Sequence, residues 1–575
     1  MKKLIYLISI LFLASCSEDY LERGSLTQLA EGNFWQNEKD ALLGINGVYE
    51  VLQDRVMYSG NLNGVAGIPQ HDSFADNTFN NYKFEGPGNF VEGRADPAYG
   101  FFLSFWTSLY RGIARANVAI ENIARIPDSN ISASSRDALV AQAKFLRALF
   151  YFNLAVYFED APLITSTQTL EEAYVPKNSY EELRAFVISE LRAAADALPV
   201  SYPPSQFGYA TKGAALSLLA RFELYNQNYG EVIRLTSEIM SLGYQLHPSY
   251  EQLFTEAGEQ SKEIIFSVRF IQDQSNNGET FSSTFLGIPK VNVQPMPNLV
   301  NSYLCIDGLP ISSSPLYNPQ KRKENRDPRL GASIYFEGDI FVKYLDRPFR
   351  GNTATKFGLK KYVRDDQSAD GIAPFSPGGQ DFYVIRYADV LLMRAEALAE
   401  SGQLSEVYPL LDQIRTRAGM PTVTNVNGTN LSQSELLNLV RLERRVELAF
   451  EGLRFMDVKR LGEVEAAYAN SFIYELSEAS EPTETRDRNS IKDKHGSKAY
   501  KGNTPKGLPW LINEGGYPED GIKHIFKVVG ITIGKEKTEE KEKKITDLKM
   551  YDWAEYQSLD IPKPSFVVSK LFKTK

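Results

Sequence analysis

ELLNLVRLERRVELAFEGLRFMDVKRLG, residues 435–462, is the most strongly helical stretch of the chain, and it decides the fold. Apolar side chains recur there at steps of three and four residues, which places them on one face of a helix: Leu436, Leu439, Val440, Val446, Ala449, Phe450 and Leu453. Glycine inside a helix costs about 1 kcal/mol relative to alanine. The sequence therefore predicts a break at Gly452 and a second helix from Leu453.

Charged residues form a second stripe along this stretch, namely Glu443, Glu447, Glu451 and Arg454. Arg444 with Glu447, and Glu451 with Arg454, are spaced to form ion pairs of about 0.2–0.5 kcal/mol each. One interpretation of the stripe is a catalytic or anion-binding site. The other is a charged helix face that pairs with a neighbouring helix, and it is favoured because structural ion pairs are commonplace.

Two further regions, residues 209–246 and 381–420, share the pattern of a helix, a short turn and a second helix. Both contain alanines that let helices approach closely: Ala214, Ala215, Ala220, Ala388, Ala395 and Ala397. Helical hairpins of this kind stack in tetratricopeptide-like proteins and bury each other's faces. Pro409 fits only if the second helix of the later hairpin begins close to it.

Long helices are also predicted over residues 33–53, 101–126 and 134–158. Ser134 or Ser135 is expected to cap the last of them. Together with the hairpins, these segments predict a mainly α-helical protein with minor β structure.

Residues 60–100 differ in kind, because they read as a long irregular loop that mixes aromatic rings with short polar side chains. The candidate ligand residues in it are Asp72, Asp76, Asn77, Asn81, Tyr82 and Arg94. Rings can stack on the C–H faces of a sugar while the polar groups bind its hydroxyls. The alternative, that the aromatics pack onto the scaffold, stays open. Asp72 and Asp76 also admit a glycosidase interpretation, although the sequence gives no separation between them.

Composition excludes several other functions. The chain has 575 residues, of which 43% are hydrophobic, as in a protein with a large core. The net charge of -9 argues against a nucleic-acid partner. No HExxH, CxxC, GxSxG or GxxxxGKS/T pattern occurs. Asp366 begins a calcium-loop-like stretch, but Pro377 stands where that loop needs glutamate, which favours a surface turn. We therefore predict no metal and no cofactor.

The N-terminus has the features of a targeting segment. Residues 1–15 combine two lysines with an apolar run that is too short to span a bilayer, which takes about 20 residues. The run ends in Leu13-Ala14-Ser15-Cys16, which resembles a bacterial lipobox and predicts a lipidated Cys16. The following Ser17-Glu18-Asp19 resembles the signal that directs lipoproteins of Bacteroidota to the outer face of the outer membrane. An ordinary secretory signal with a chance cysteine is the alternative.

Short blocks throughout residues 16–465 are similar, in order and spacing, to those of one family. They are residues 32–35 (GNFW), 110–117 (YRGIARAN), 143–148 (AKFLRA), 210–215 (ATKGAA), 263–267 (EIIFS), 324–329 (ENRDPR) and 386–396 (RYADVLLMRAE). By these blocks the chain resembles the SusD/RagB family of outer-membrane nutrient-binding lipoproteins. The resemblance implies a SusD-like fold, with tetratricopeptide-like helix pairs and long loops that carry the ligand.

The resemblance also implies a function in polysaccharide utilisation. A member of this family binds oligosaccharide at the cell surface and passes it to a SusC-like TonB-dependent transporter, without acting as an enzyme. A peptide-binding member and a tetratricopeptide-like scaffold without a small ligand are the alternatives. The family's ligand loops correspond to residues 60–100 and 269–344, and the second adds Phe270, Asn277 and Tyr335 as candidate ligand residues.

The resemblance further suggests a division of the chain. Residues 1–15 are the signal peptide, residues 16–225 the N-terminal region and residues 226–575 the C-terminal region. Residues 470–575 depart from the family, whose members usually close with a short strand-like segment and a Pro/Asn-rich tail.

Overall fold

In a computed structural model of the protein, the described residues are 34–60, 67–80, 100–172, 174–272, 277–286, 293–351, 353, 355–366 and 377–469. Several predicted features lie outside them. These are the signal segment with Cys16, the candidate ligand residues Asn81, Tyr82 and Arg94, the calcium-loop-like stretch after Asp366, and the atypical residues 470–575.

Helices make up most of the described chain, which confirms the predicted fold class. In chain order they are α1 (Glu38–Tyr49), α2 (Gly100–Arg125), α3 (Ala133–Phe158), α4 (Tyr180–Ala197), α5 (Lys212–Tyr225), α6 (Tyr229–Met240), α7 (Tyr250–Leu253), α8 (Phe281–Leu286), α9 (Pro297–Ser302), α10 (Pro328–Ser333), α11 (Tyr387–Glu400), α12 (Val407–Arg417), α13 (Val423–Asn427), α14 (Gln433–Glu447), α15 (Arg454–Arg460) and α16 (Val464–Ala469). A 3-10 helix, Ile68–Phe74, lies within the first predicted ligand region.

Short strands form four antiparallel pairs among the described residues. They are β1 (Thr78–Asn80) with β3 (Val293–Pro295), β2 (Ile264–Val268) with β8 (Phe382–Arg386), β4 (Ile334–Tyr335) with β7 (Gly358–Leu359), and β5 (Ile340–Val342) with β6 (Arg347–Pro348). Because each sheet has only two strands, the helices provide most of the core.

Side chains in the first turn explain where several helices begin. The Ser132 hydroxyl accepts a hydrogen bond from the backbone N–H of Ser135 at 3.1 Å and caps α3, so the predicted cap at Ser134 or Ser135 was wrong by two to three residues. Ser432 and Glu435 cap α14 reciprocally, since each side chain accepts the other residue's backbone N–H. These local bonds fix the helix starts independently of tertiary packing.

The two predicted hairpins are present as α5 with α6 and α11 with α12. Helix α11 also packs against α6 and α14, so the hairpins contact each other and the stretch that decides the fold. Pro409 is the third residue of α12. Its missing N–H needs no helical partner there, so the condition placed on this proline is met.

Residues 382–386 form strand β8, although the sequence predicts a helix from this point. The strand is fully buried and pairs with the equally buried β2, in a register that places Val268 opposite Phe382. Apart from Arg386 the strand is a short apolar run, and such a run has the same pattern in a buried strand and a buried helix. The helix therefore begins only at Tyr387.

One large hydrophobic core runs through the described chain, and α3 crosses its centre. This helix is long and apolar enough to cross a membrane by length and composition, yet 89% of its most apolar window is buried within the protein. Such burial is typical of a core helix. Phe150, Tyr151 and Phe158 are almost wholly enclosed, so the aromatic rings of this helix belong to the core.

The stretch at residues 435–462 folds as two helices with a turn between them. Helix α14 ends at Glu447 and α15 begins at Arg454, which confirms the predicted break. Gly452 has a φ of +74°, and a Cβ at this position would collide with the carbonyl oxygen of Ile68. The glycine therefore lets the turn lie against the 3-10 helix of the first predicted ligand region.

Candidate ligand-binding surface

Residues 435–462, called the deciding stretch below, carry a charged stripe that is buried and forms ion pairs with other elements. The Glu447 carboxylate accepts hydrogen bonds from Arg329 (2.9 Å), Arg386 (2.7 Å) and Arg417. Burial raises the pKa of Glu447, but these three guanidinium groups outweigh it and hold the pKa well below its ordinary range. The stripe is thus a charged helix face paired with its neighbours, as favoured from the sequence.

The individual partners predicted within the stretch were wrong. Arg444 donates to Asp389 of α11 and, at 2.8 Å, to Asp457, rather than to Glu447. Glu451 accepts hydrogen bonds from Lys361 and Arg386, both at 2.7 Å. Arg444 and Glu447 both lie within α14, but each side chain bonds charged groups of other elements instead of its neighbour on the helix.

In the first predicted ligand region, Asp72 is buried and bonded to the protein itself. Its carboxylate accepts the backbone N–H of Phe450 at 2.8 Å, the backbone N–H of Arg454 at 3.4 Å and the side-chain amide of Asn77 at 3.0 Å. Asp72 and Asn77 are each only 1% exposed. Neither side chain faces a surface that a glycan reaches.

Asp76 forms a buried ion-pair cluster. It accepts a hydrogen bond from Arg454 at 2.7 Å and lies 2.9 Å from Arg445, which also donates to the side-chain carbonyl of Asn77 at 2.9 Å. Burial raises the pKa of Asp76, but Arg445 and Arg454 bring it below the ordinary value. Asp72, Asp76 and Asn77 therefore join residues 68–77 to the deciding stretch, and the structure does not support their predicted contact with ligand.

The glycosidase interpretation of Asp72 and Asp76 lacks a structural basis as well. Acid–base hydrolysis needs two carboxyl groups that face the same accessible cleft. Two arginines keep Asp76 ionised. Burial raises the pKa of Asp72, but its carboxyl group is enclosed by the protein and does not face a cleft. Within the described ranges, no group of three or more histidine, cysteine, aspartate or glutamate side chains is arranged to hold a metal ion.

In the second predicted region, Phe270 and Tyr335 are also interior residues. Phe270 is 3% exposed and packs near Phe281, with ring centroids 6.1 Å apart. The Tyr335 hydroxyl donates to Asp365 at 3.1 Å in a small satellite core. Asn277, in contrast, lies exposed at the surface. Of the candidates that the structure describes, Asn277 is the one whose position suits contact with a ligand.

The two predicted ligand regions meet in the structure. Strand β1 of the first pairs with β3 of the second, with Phe79 opposite Gln294. The backbone N–H of Thr280 donates to the carbonyl of Ser59 at 2.8 Å. In the sequence, Asn81 and Tyr82 follow β1 directly, and Asn277 precedes Thr280 by three residues. The fold thus brings the points of attachment of both loops to one place.

An arginine and two carboxyl groups begin the second region. Arg269 directly follows β2, and its Nε lies 3.4 Å from the carboxylate of Asp381, while its side chain remains 40% exposed. Glu259 accepts the backbone N–H of Asp381 at 2.7 Å. Burial, together with the nearby charge of Asp381, raises the pKa of Glu259 to about 8, and burial raises the pKa of Asp381 to about 6.

Sequence reasoning missed these three groups. Arg269 opened the predicted loop but had no feature that distinguished it from other exposed arginines. Glu259 and Asp381 are separated by 122 residues and meet only because β2 pairs with β8. No local pattern reports such a contact.

Comparisons with known proteins place the fold among carbohydrate-binding proteins. The family model described as "SusD family" matches residues 262–512, and the model described as "Starch-binding associating with outer membrane" matches residues 36–224. SusD-like protein P38 of Formosa agariphila is 28% identical to the chain, over 79% of this chain and 90% of that protein. SusD-like protein P25 of the same organism is 26% identical, over 80% and 89% respectively.

Solved structures give the same result. A SusD-like carbohydrate-binding protein from Bacteroides fragilis is 26% identical, with a TM-score of 0.69 over 86% of this chain and 99% of the other. A laminarin-binding SusD-like protein is 25% identical, with a TM-score of 0.62 over 77% of this chain and 95% of the other. The similarity thus covers nearly the full length of both solved proteins.

Proposed function

The chain belongs to the SusD/RagB family, and from this premise we propose that it is a cell-surface lipoprotein that captures an oligosaccharide and delivers it to a SusC-like TonB-dependent transporter. The observation that carries the proposal is the pair of family models, which together match residues 36–224 and 262–512. The family consists of SusD-like carbohydrate-binding proteins, and one matched model describes association with the outer membrane.

The ligand in this proposal is a glycan. Two solved relatives at 25–26% identity are described as binding carbohydrate, one of them laminarin. Convergence of the two loop regions at β1 and β3 supports a shared binding surface. Asn277 of the second region is exposed, and Asn81, Tyr82 and Arg94, which follow β1 in the sequence, remain predicted ligand residues.

The protein acts in this proposal by binding and not by catalysis. Neither matched family model describes an enzyme. The carboxyl pair that suggested a glycosidase, Asp72 and Asp76, is occupied by internal hydrogen bonds. Incubation with the glycan that it binds should therefore leave the chain length of that glycan unchanged.

Titration calorimetry against starch, laminarin, xylan, pectin and a mixture of peptides tests the ligand class. We expect binding to at least one polysaccharide, and Tyr82→Ala should weaken that binding. Tyr174→Ala serves as a matched control, because Tyr174 is 79% exposed and lies outside both predicted ligand regions. Binding to peptides alone would contradict the glycan proposal and favour a peptide-binding member of the family. Binding to none of these ligands would favour the scaffold alternative.

The lipid anchor and the transporter are tested in the native membrane. We expect the wild-type protein in the outer-membrane fraction, and on intact cells it should be cleaved by added protease. Cys16→Ala should release the protein from that fraction. Detergent extraction followed by affinity purification should recover a TonB-dependent transporter with the wild-type protein. Recovery of a Cys16→Ala variant in the membrane fraction would contradict the anchor.

A further inference from the structure

The loop between α4 and α5, residues 198–211, presents an aromatic ring beside the exposed arginine of the second ligand region. Phe207 is 37% exposed. The guanidinium carbon of Arg269 lies 5.0 Å from the centroid of the Phe207 ring, and the Arg269 side chain is 40% exposed. The guanidinium group thus lies over the Phe207 ring, and both groups remain partly in contact with water.

Arg269 is held in this position from several sides. The side-chain amide of Gln53 donates to the Arg269 carbonyl at 2.7 Å. Asp381, which is itself fully buried, lies 3.4 Å from Nε. Gly208 allows the arginine to pass close to the loop, because a Cβ there would lie only 2.6 Å from Arg269 Cδ. The arginine is therefore placed before any ligand arrives.

The loop that carries Phe207 is braced in the same way. The Tyr209 hydroxyl donates to the side-chain carbonyl of Asn46 at 2.8 Å, and the backbone N–H of Ala210 donates to the Tyr49 hydroxyl at 2.8 Å. The rings of Tyr209 and Tyr49 also contact each other, with centroids 5.4 Å apart. A braced loop reduces the entropy that binding would otherwise cost.

The surface continues from Arg269 along the second ligand region. Ile271 is 57% exposed, and its backbone N–H donates to the carbonyl of the exposed Asn277 at 3.0 Å. Phe207 and Arg269 therefore lie at one end of a surface whose other end is the sequence-predicted ligand residue Asn277. No sequence pattern pointed to Phe207, because it lies about 60 residues before that region.

We propose that Phe207 and Arg269 form a stacking subsite for one uncharged sugar ring of the bound glycan, an inference that rests on the proposed function. The C–H face of a pyranose fits against the part of the Phe207 ring that Arg269 leaves exposed, and the planar donors of Arg269 match neighbouring hydroxyl groups. An uncharged sugar is favoured because the carboxylate of Asp381 already balances the guanidinium charge. Phe207 and Arg269 contact the ligand in this proposal, and Asp381 and Gln53 are positioning residues.

Affinity electrophoresis of the full-length protein in gels that contain starch, laminarin, xylan or pectin tests the subsite. For the polysaccharide that retards the wild type, Phe207→Ala should weaken binding about tenfold, because the stacking face is lost. Phe207→Trp should restore it, and the fluorescence of the new tryptophan should change when the glycan is added. Arg269→Lys keeps the charge but loses the planar donors, so it should also bind more weakly.

Controls separate loss of the subsite from loss of the fold. Tyr174→Ala removes a more exposed aromatic ring elsewhere and should bind as the wild type does. Phe207→Ala should unfold at the wild-type temperature. If the wild type binds a polysaccharide and a folded Phe207→Ala binds it equally well, the subsite is disproved while the proposed function stands. If the wild type binds none of the polysaccharides, the proposed function fails and the subsite fails with it.

Discussion

Asp76 is buried and forms ion pairs with two arginines. Removing its carboxylate should show how much these ion pairs stabilise the protein. Asp76→Ala leaves Arg445 and Arg454 without their common carboxylate, since both lie within 2.9 Å of it. Breaking a buried pair by removing one partner typically costs about 3 kcal/mol or more. We therefore expect the free energy of unfolding, measured in urea, to fall by about 3 kcal/mol.

Asp128→Ala is the control for that measurement, because Asp128 pairs with Arg136 while its side chain is fully exposed. It should leave the stability almost unchanged, since exposed pairs are screened by water. Equal stability of the Asp76 and Asp128 variants would contradict the structural role of Asp76. It would also restore Asp76 as a candidate ligand residue.

Glu259 should make the stability depend on pH. Burial and the charge of Asp381 raise its pKa in the folded protein to about 8, from 4.5 for an ordinary glutamate. The folded state therefore holds a proton that the unfolded state has lost, so the stabilising contribution is full below pH 4.5 and is lost as the pH rises through 8. Glu259→Gln removes this titration yet keeps the acceptor for the N–H of Asp381.

We expect Glu259→Gln and the wild type to be similarly stable at pH 5, whereas the variant should be more stable at pH 8, because the wild type loses up to about 1.4 kcal/mol for each pH unit between the two pKa values. Urea denaturation at the two pH values measures the difference. A variant that loses stability equally at both pH values would show that Glu259 is ionised throughout this range.

At the scale of elements, the turn between α14 and α15 is the most sensitive point. Gly452→Ala places a Cβ against the carbonyl oxygen of Ile68 and also forces a non-glycine residue to adopt a φ of +74°. Gly462→Ala has a similar φ of +68° but meets no atom within 4 Å. The Gly462 variant should lose about 1 kcal/mol from backbone strain alone, and the Gly452 variant clearly more.

Thermal unfolding of both variants measures this difference, which isolates the contact between the turn and the 3-10 helix. Equal losses in the two variants would mean that the turn moves away from Ile68 at little cost.

Elements that depend on local signals were predictable, and elements that depend on distant partners were not. The hairpins α5–α6 and α11–α12 follow from helical spacing and turn residues close in the sequence. Strand β8 was missed because its identity depends on pairing with β2, more than 110 residues earlier. The same reason explains Asp72, Asp76 and Asn77. Short polar residues in a loop have the composition of a binding site. Only the tertiary structure shows that these three side chains already form hydrogen bonds with Phe450, Arg445 and Arg454.

At the scale of the whole molecule, the predicted N-terminal region (residues 16–225) and C-terminal region (residues 226–575) share one hydrophobic core in the part of the chain that the structure describes. The main cluster of buried apolar residues extends from Ala41 to Ala467 and includes α3, α5 and α11. The division at residue 225 stays a prediction from the sequence, but a common core predicts that both parts unfold together. Calorimetry should show a single transition, and Gly452→Ala should shift it as a whole. Two separate transitions, of which only one moves, would contradict this.

The hydrogen bond between Asp76 and Arg454 also constrains how the protein is made, because it joins residues 378 positions apart. At typical rates of translation, the ribosome adds that length in about 20 to 75 s. During this interval the Asp76 carboxylate lacks the Arg454 guanidinium group, and the Asp72 carboxylate lacks the backbone N–H donors of Phe450 and Arg454. The connection between residues 68–77 and the second half of the chain can therefore form only late in synthesis, after residue 454 has left the ribosome.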